Sequence, residues 1–599
     1  MVNWCCPGGR RATRKDGVTM LYPESRSPRL DAGLFRRPAA SLRGVPFWSW
    51  NCRVTRALID AQLDAFAAMG FGGVDIHPRI GLDVEYLGDE FMDLIRYAVA
   101  GCKARGLYCW LYDDDRFPSG AAGGLVTRDA RRCQRFLLLT ETPGADCLPD
   151  RARFEAALEA GERPAGYLAA RYALTLENGG LVCHRRLEEG EAARPGERLR
   201  YGCVMLLESE EWFQGQSYVD VMDPGAIRAF IDITHEAYFR NVGADFGGVV
   251  PAIFTDEPRM ETRTKRPKAL ADGDSHGDVI LPWSEPLRAR MIRERGVDPL
   301  DIAPELAWEW ADGRPSAARA QFRDAACEQF VAAYMDQIAG WCRAHGILMT
   351  GHVLSEDTLY AQAASLGEAM RCYRSMDIPG VDVLCDDRAF LAVKQAASVA
   401  HQMGREGVAS ELYGVTLWNA DFKTFKLQGD WQAALGVTAR VPPPGVDEHG
   451  GRGQAGLARL HIHPAALVAG VCRGRGLLRP AERGADPGQA NDRRGGDPPG
   501  GDDVAAPGHE CRHEGDADRG LIAWAPHRLE LGRLEPGAHV LEIDAFVGRH
   551  NGFGALHNAN DAFRWYGPDA WRTEGDEWTD DYRLLPAGLL SGVELWIQE

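Results

Sequence analysis

Two glutamates carry the first chemical signal in this chain. Glu257 sits near the end of Val-Pro-Ala-Ile-Phe-Thr-Asp-Glu-Pro (250–258) and Glu411 stands within Gly-Val-Ala-Ser-Glu-Leu-Tyr-Gly (407–414), each closing a short apolar run. A carboxylate at the mouth of a buried parallel strand is where a (β/α)8 barrel keeps its chemistry. Two of them are the equipment for acid/base cleavage of a glycosidic bond. Pro258 ends the strand and disfavours a helical backbone at Glu257, so Asp256 and Glu257 are presented at a strand-to-loop exit. An acid that protonates a leaving oxygen near neutral pH needs a raised pKa, which the like charge of Asp256 and partial burial supply. The structural alternatives are a carboxylate pair that caps the following segment and a buried ion pair at Glu411. Glu356, in Gly-His-Val-Leu-Ser-Glu-Asp (351–357), is a second candidate for the base. The gap between acid and base would set the stereochemistry, about 5–5.5 Å for retention and about 6.5–9.5 Å for inversion.

Sugars present apolar faces and dense hydroxyls, so aromatic platforms and Asp, His and Arg hydrogen bonds hold them. Trp48, Trp50 and Asn51, then His77 and Arg79, then Asp256 and His352, form such a set at the ends of apolar runs. Either Trp reads equally well as core. In Asp113-Asp114-Asp115-Arg116, the residues Asp113, Asp115 and Arg116 could hold sugar hydroxyls, or the acidic groups a hard cation through oxygen ligands. A serine nucleophile is excluded because no Gly-x-Ser-x-Gly elbow follows a strand. A metal-dependent hydrolase requires paired His ligands, and His77 and His352 lie on different strands.

Eight apolar runs position these groups: Pro46–Asn51, Gly73–Pro78, Leu107–Asp113, Val250–Asp256, Gly346–His352, Val381–Cys385, Gly407–Glu411 and Ala434–Thr438. Segments of helical periodicity separate them, the first over Arg56–Met69 with Thr55 as N-cap and Gly70 as its stop. Eight strand–helix repeats predict a (β/α)8 TIM-type barrel over 46–440, and the glycine fingerprint of a dinucleotide fold is missing. Two connections are long. Residues 135–222 alternate like antiparallel strands at Arg135–Glu141, Tyr167–Leu176, Arg200–Glu208 and Gln216–Val221, an inserted β subdomain; residues 259–316 carry helical pieces over Pro282–Trp310 before a long helix at Ala317–His345.

Lys and Arg number 68 against 86 Asp and Glu, a net charge of −18, which argues against a phosphate backbone or an anionic membrane as partner. No transmembrane run or leader segment is evident, and the expectation is a soluble, cytoplasmic chain acting on an oligosaccharide or glycoside. Fifteen scattered cysteines without paired metal or redox spacing read as buried, reduced thiols. Residues 1–45 read as a tail and lead-in. Residues 441–520 contain no Phe, Tyr, Trp, Met, Lys, Ser or Thr, too little apolar surface to offset chain entropy, which predicts disorder. A linker would use Ser, Thr and Lys freely, so this composition points instead to translation of a GC-rich gene in a shifted frame. His461-Ile-His463 lies in that segment and is discounted as a metal motif. Strand-like runs at Leu521–Ala525, Arg528–Leu531, His539–Ile543 and Val593–Ile597 predict a partial β-sandwich, of galactose-binding type, over 521–599.

Taken as a set, Pro46-Phe-Trp-Ser-Trp-Asn51, Gly73-Val-Asp-Ile-His-Pro-Arg79, Leu111-Tyr-Asp-Asp-Asp-Arg-Phe-Pro-Ser-Gly120, Phe254-Thr-Asp-Glu-Pro258, Gly351-His352, Lys394–Gln402 and Ser410-Glu-Leu-Tyr-Gly414 resemble the α-L-rhamnosidase-like glycoside hydrolases of family 106. The resemblance spans about 28–440 and resumes at Ala545–Leu585. It implies a (β/α)8 catalytic domain, an inverting two-carboxylate mechanism, rhamnose-containing substrates and a calcium ion near the sugar, whose ligands no motif places. Carried onto this chain, Glu257 would be the general acid, and Glu411, or else Glu356, the base. Residues 441–520 replace a longer patterned region of that family, which leaves a non-catalytic carbohydrate-binding remnant as the alternative.

Overall fold

The structure, a computed structural model, describes residues 32–442 except 142, 210–212, 214, 261–277, 385–387, 406 and 415–421, together with short stretches between 511 and 593. Eight short strands make one parallel sheet in chain order: β1 (Phe47–Trp50), β2 (Gly73–Pro78), β3 (Tyr108–Tyr112), β4 (Ala252–Thr255), β5 (Leu348–Gly351), β6 (Ile378–Asp382), β7 (Ala409–Glu411) and β8 (Ala439–Val441). The last strand returns to the first: the Val45 N–H donates to the Arg440 carbonyl at 2.8 Å and the Phe47 N–H to the Pro442 carbonyl at 2.9 Å. The sheet is thereby closed, the arrangement of a (β/α)8 barrel. The first barrel helix runs Arg56–Ala68, its start fixed by the Thr55 hydroxyl accepting from the Leu58 N–H.

Side chains alternate between the barrel lumen and the helix layer. Phe47, Trp110, Tyr112, Ala252, Phe254, Leu348, Ile378, Ala409, Ala439 and Val441 fill the lumen. The residues between them, such as Val74, Ile76, Cys109, Leu111, Ile253, Met349 and Val381, pack outward on the helices. This phase corrects one expectation. Trp48 and Trp50 lie on the outward side, each 1% exposed, with Trp48 against Phe66 and hydrogen-bonded to Gln62 and Trp50 against Phe91. They are core between sheet and helices, and no sugar platform.

Two strands sit elsewhere than their apolar runs suggest. The expected Val381–Cys385 begins three residues earlier, at Ile378, because Pro379 and Gly380 belong to the strand: a Cβ on Gly380 would lie 2.3 Å from the Gly351 carbonyl oxygen. The expected Ala434–Thr438 is instead the end of a helix (Phe422–Leu435) and a turn through Gly436 at φ +120°, and β8 starts at Ala439.

The two long connections join. Arg135–Thr140, Gly166–Glu177, Gly180–Arg186 and Arg198–Leu206 come from the first, and Val279–Trp283 from the second; together they form one antiparallel sheet with Val279–Trp283 paired on Arg135–Thr140. Pro282, expected in a helical piece, therefore lies in an edge strand, where a missing N–H is tolerated. Gln216–Val221 is not a strand and contributes one isolated bridge, Val219 to Cys133. Gly180–Arg186 was not foreseen, although Asn178-Gly179 (φ +50° and +83°) is the signature of a tight hairpin. The long helix appears as Ala317–Phe330 and Asp336–His345 joined by a π-helical turn at Val331–Met335.

Residues 1–31, all of 443–510 and most of the expected sandwich lie outside the described residues. Beyond 510, Cys511–His513 pairs antiparallel with Leu541–Ile543, so a short strand stands in the segment expected to be without structure. Among the described cysteines, all free thiols, Cys102, Cys109, Cys133, Cys203, Cys327, Cys342 and Cys372 are buried as expected, whereas Cys147 and Cys183 are exposed. No described helix is long and apolar enough to cross a membrane.

Candidate active site

The lumen phase continues past the strand ends and turns polar there. Asp256 follows Phe254 by two residues, His352 follows Thr350, Asp382 follows Gly380 and Glu411 follows Ala409. These four groups converge at the C-terminal mouth of the barrel. The His352 Nε2 lies 3.0 Å from Glu411 Oε2 and 3.4 Å from Asp256 Oδ1, with the imidazole only 1% exposed. Burial alone would depress its pKa; the bond to Glu411 and the charges of Asp256 and Asp382 outweigh that and hold it well above the ordinary value, as an imidazolium. Burial and the charge of Asp256 push Glu411 up, while His352 and Arg79 pull it back toward the ionised form.

Glu257 leaves the pleat. Its φ of +48° lies in the left-handed region, against the extended backbone that a following proline favours, and its carboxylate comes within 4.8 Å of His352 and Asp382. Burial, then the negative charges of Asp256 and Glu411, against His352 and Arg259, push its pKa up to about 8. Asp256 is fixed from below: the Tyr112 hydroxyl donates to its Oδ2 at 2.6 Å and its own N–H donates to the Ser119 Oγ at 2.9 Å.

Glu356 sits one step to the side. It is 3% exposed, receives the Tyr373 hydroxyl on Oε2 and the Asp382 N–H on Oε1, and is raised to about 7, chiefly by burial. Both oxygens are thus committed to the protein, which favours Glu411 over Glu356 for a role that requires a free lone pair.

The remaining sequence candidates divide. Arg79 leaves β2 over the Phe117 ring, and its charge reaches Glu411. His77 is not on the rim: it is fully buried, stacked on Tyr112 at 3.8 Å between ring centroids, and held neutral by burial. It props Tyr112, and hence Asp256, from inside the lumen. Asn51 packs against the loop after β2, with its carbonyl close to Gly81. The acidic run after β3 is mostly internal scaffolding. Asp114 accepts the N–H groups of Asp115, Gly120, Ala122 and Gly123, Asp113 accepts the Ser119 hydroxyl at 2.5 Å, and Asp115 pairs with Arg116. Sequence reading missed Asp382 and the two supporting tyrosines, Tyr112 and Tyr373. Asp382 was legible as the second residue beyond Gly380 once the strand was correctly phased.

Calcium, the ion implied by the resemblance, takes about six to eight oxygen ligands. Among the described residues, the groups close enough to share an ion are Asp256, His352 and Glu411, or Glu257, His352 and Asp382. Each puts an imidazole nitrogen into the donor set, and that imidazole is an imidazolium already paired with the same carboxylates. These residues do not fit calcium.

The sequence matches no protein-family model and no curated protein. A match among solved structures shares the fold. A rhamnosidase from Novosphingobium sp. PP1Y superposes with a TM-score of 0.52 at 14% identity, over 76% of this chain and 60% of that one. The chain thus spans 60% of the length of that relative. An endo-β-1,4-mannanase from Thermotoga petrophila (TM-score 0.34, 9% identity, 79% of this chain and 80% of that one) and the catalytic domain of a β-amylase from Paenibacillus polymyxa (0.36, 11%, 67% and 92%) score too low to carry argument. At 14% identity the likeness to the rhamnosidase establishes the barrel fold alone.

Proposed function

We propose that this chain is a glycoside hydrolase that removes terminal α-L-rhamnosyl or closely similar sugars with inversion at the anomeric carbon. One observation carries the proposal: a carboxylic acid that keeps its proton through neutrality, Glu257, shares a barrel mouth with a carboxylate held against an imidazolium, Glu411 on His352. Two titratable groups whose surroundings separate their roles in this way are the mark of an acid/base pair. Glu257 donates its proton to the glycosidic oxygen as that bond breaks. Glu411 takes a proton from a water molecule that attacks the opposite face of the oxocarbenium-like centre. His352 and Arg79 keep Glu411 anionic against the pressure of burial. The choice of rhamnose and of inversion follows the motif resemblance, and the fold shared with a rhamnosidase agrees with it.

The test is proton NMR of the first product anomer released from an aryl α-L-rhamnoside, run with wild type, Glu257→Gln and Glu411→Gln. The β-anomer is expected from wild type, with both variants slowed by about 10²–10⁴-fold. Release of the α-anomer would overturn the inverting assignment. Sugar binding without turnover by all three proteins would make the chain a carbohydrate-binding remnant.

A further inference from the structure

Asp382 has no role in the acid/base pair, yet it stands between its members. It ends β6 directly across from Glu411, its register partner on β7. One of its carboxylate oxygens lies within 4.8 Å of a Glu257 oxygen and of a His352 nitrogen. Its backbone N–H is taken by Glu356. Its Oδ1 is shielded from water and has no hydrogen-bond partner among the described residues. An acceptor left in that state costs free energy until a donor arrives. Neither Glu257, which holds a proton, nor the His352 Nδ1, itself without a partner among the described residues, makes a hydrogen bond to this oxygen. Glu411 and Glu356 are carboxyl groups already engaged by His352, Tyr373 and the Asp382 N–H, and the His352 Nε2 faces Glu411 and Asp256.

We propose that Asp382 is a substrate-binding residue whose Oδ1 accepts a hydrogen bond from a ring hydroxyl of the sugar being cleaved. This rests on the glycosidase reading and deepens it, since it requires a polyhydroxylated ring with one hydroxyl directed at the wall between Glu257 and Glu411. A hydroxyl bonded to this oxygen satisfies a buried acceptor otherwise left unpaired, and a site built in that way discriminates strongly against a sugar that lacks the group.

The test is a cycle of Asp382→Ala against aryl α-L-rhamnoside and its monodeoxy analogues, with Asp382→Asn as the conservative variant; neither change touches the backbone N–H that Glu356 uses. Asp382→Ala is expected to lower kcat/KM on the parent roughly ten- to a hundredfold. On one analogue, already slow with wild type, the same substitution should cost less than about threefold, with Asn intermediate on the parent. An equal loss on the parent and on every analogue would show a merely structural role and overturn the proposal. If wild type cleaves no glycoside, the glycosidase reading has failed separately. Calorimetric titration of free L-rhamnose into wild type and Asp382→Ala then decides: weaker binding by the variant supports the contact, and equal binding, or none by wild type, overturns it.

Discussion

Glu257 holds its proton because ionising it would put a charge into a poorly solvated site already occupied by Asp256 and Glu411. The same fact makes it an acid and a liability. Its folded pKa, about 8, is above the ordinary carboxyl value of 4.5, so between those limits the native state binds more protons than the unfolded chain. Stability from this group is therefore fully present below the unfolded value and is lost as pH rises through about 8. Glu257→Gln carries no such titration. The variant is expected to match wild type in urea midpoint near pH 5 and to exceed it near pH 9, while the alkaline limb of kcat/KM in wild type falls near pH 8. Equal midpoints at both pH values would sink the assignment of that pKa to Glu257. The proposed acid and its two candidate partners could be picked out in the sequence because each stands at or just beyond the end of an apolar run, a pattern that one strand at a time can show. His352 was legible as a site residue, but its part as the cation between Asp256 and Glu411 depends on two other strands meeting at one nitrogen, and nothing local announces that.

At the scale of the element, the site exists because β4, β5 and β6 approach each other too closely for a side chain at Gly351 or Gly380. Gly351 stands at φ +130°, and a Cβ there would lie 1.9 Å from the Thr255 carbonyl oxygen. That approach sets His352 beside Asp256. Gly351→Ala is expected to cost about 3 kcal/mol or more through strain and collision, and to lose activity even in the fraction that folds. Gly404→Ala is the control: it has the left-handed φ of a helix C-cap, +62°, with nothing within 4 Å of the added methyl, so about 1 kcal/mol is expected. Urea denaturation of the two variants reads the difference, and similar midpoints would mean that the strand tips can relax. Glycines also explain what the sequence hid. Gly436, inside the expected Ala434–Thr438, is instead part of the turn before β8, and Gly380, outside the expected Val381–Cys385, lies inside β6 because no larger residue fits beneath Gly351. In the same way Trp48 and Trp50 invited a binding role, and only the in–out phase of β1, with Phe47 toward the lumen, turns them into helix-facing core.

For the whole molecule, the decisive contact is the last one made along the barrel. β8 is three residues long, yet it pairs with β7 and also accepts the Val45 and Phe47 N–H groups through Arg440 and the adjoining Pro442. Without it β1 and β7 become open edges with unpaired backbone groups, and a lumen built from Phe47, Phe254 and Val441 loses its wall. All of the candidate site residues precede this closure in the sequence, whereas the compositionally odd stretch follows it. The change in composition starts where the barrel's last strand ends. A chain ending after Pro442 is expected to unfold in one cooperative transition and to keep the near-ultraviolet dichroism of its buried Trp and Tyr side chains. A chain ending after Leu435, seven residues shorter, lacks β8 and is expected to aggregate or to show no cooperative transition. If the two truncated chains unfold alike, closure through β8 is not what stabilises the barrel, and the site at its mouth must depend on residues beyond 442.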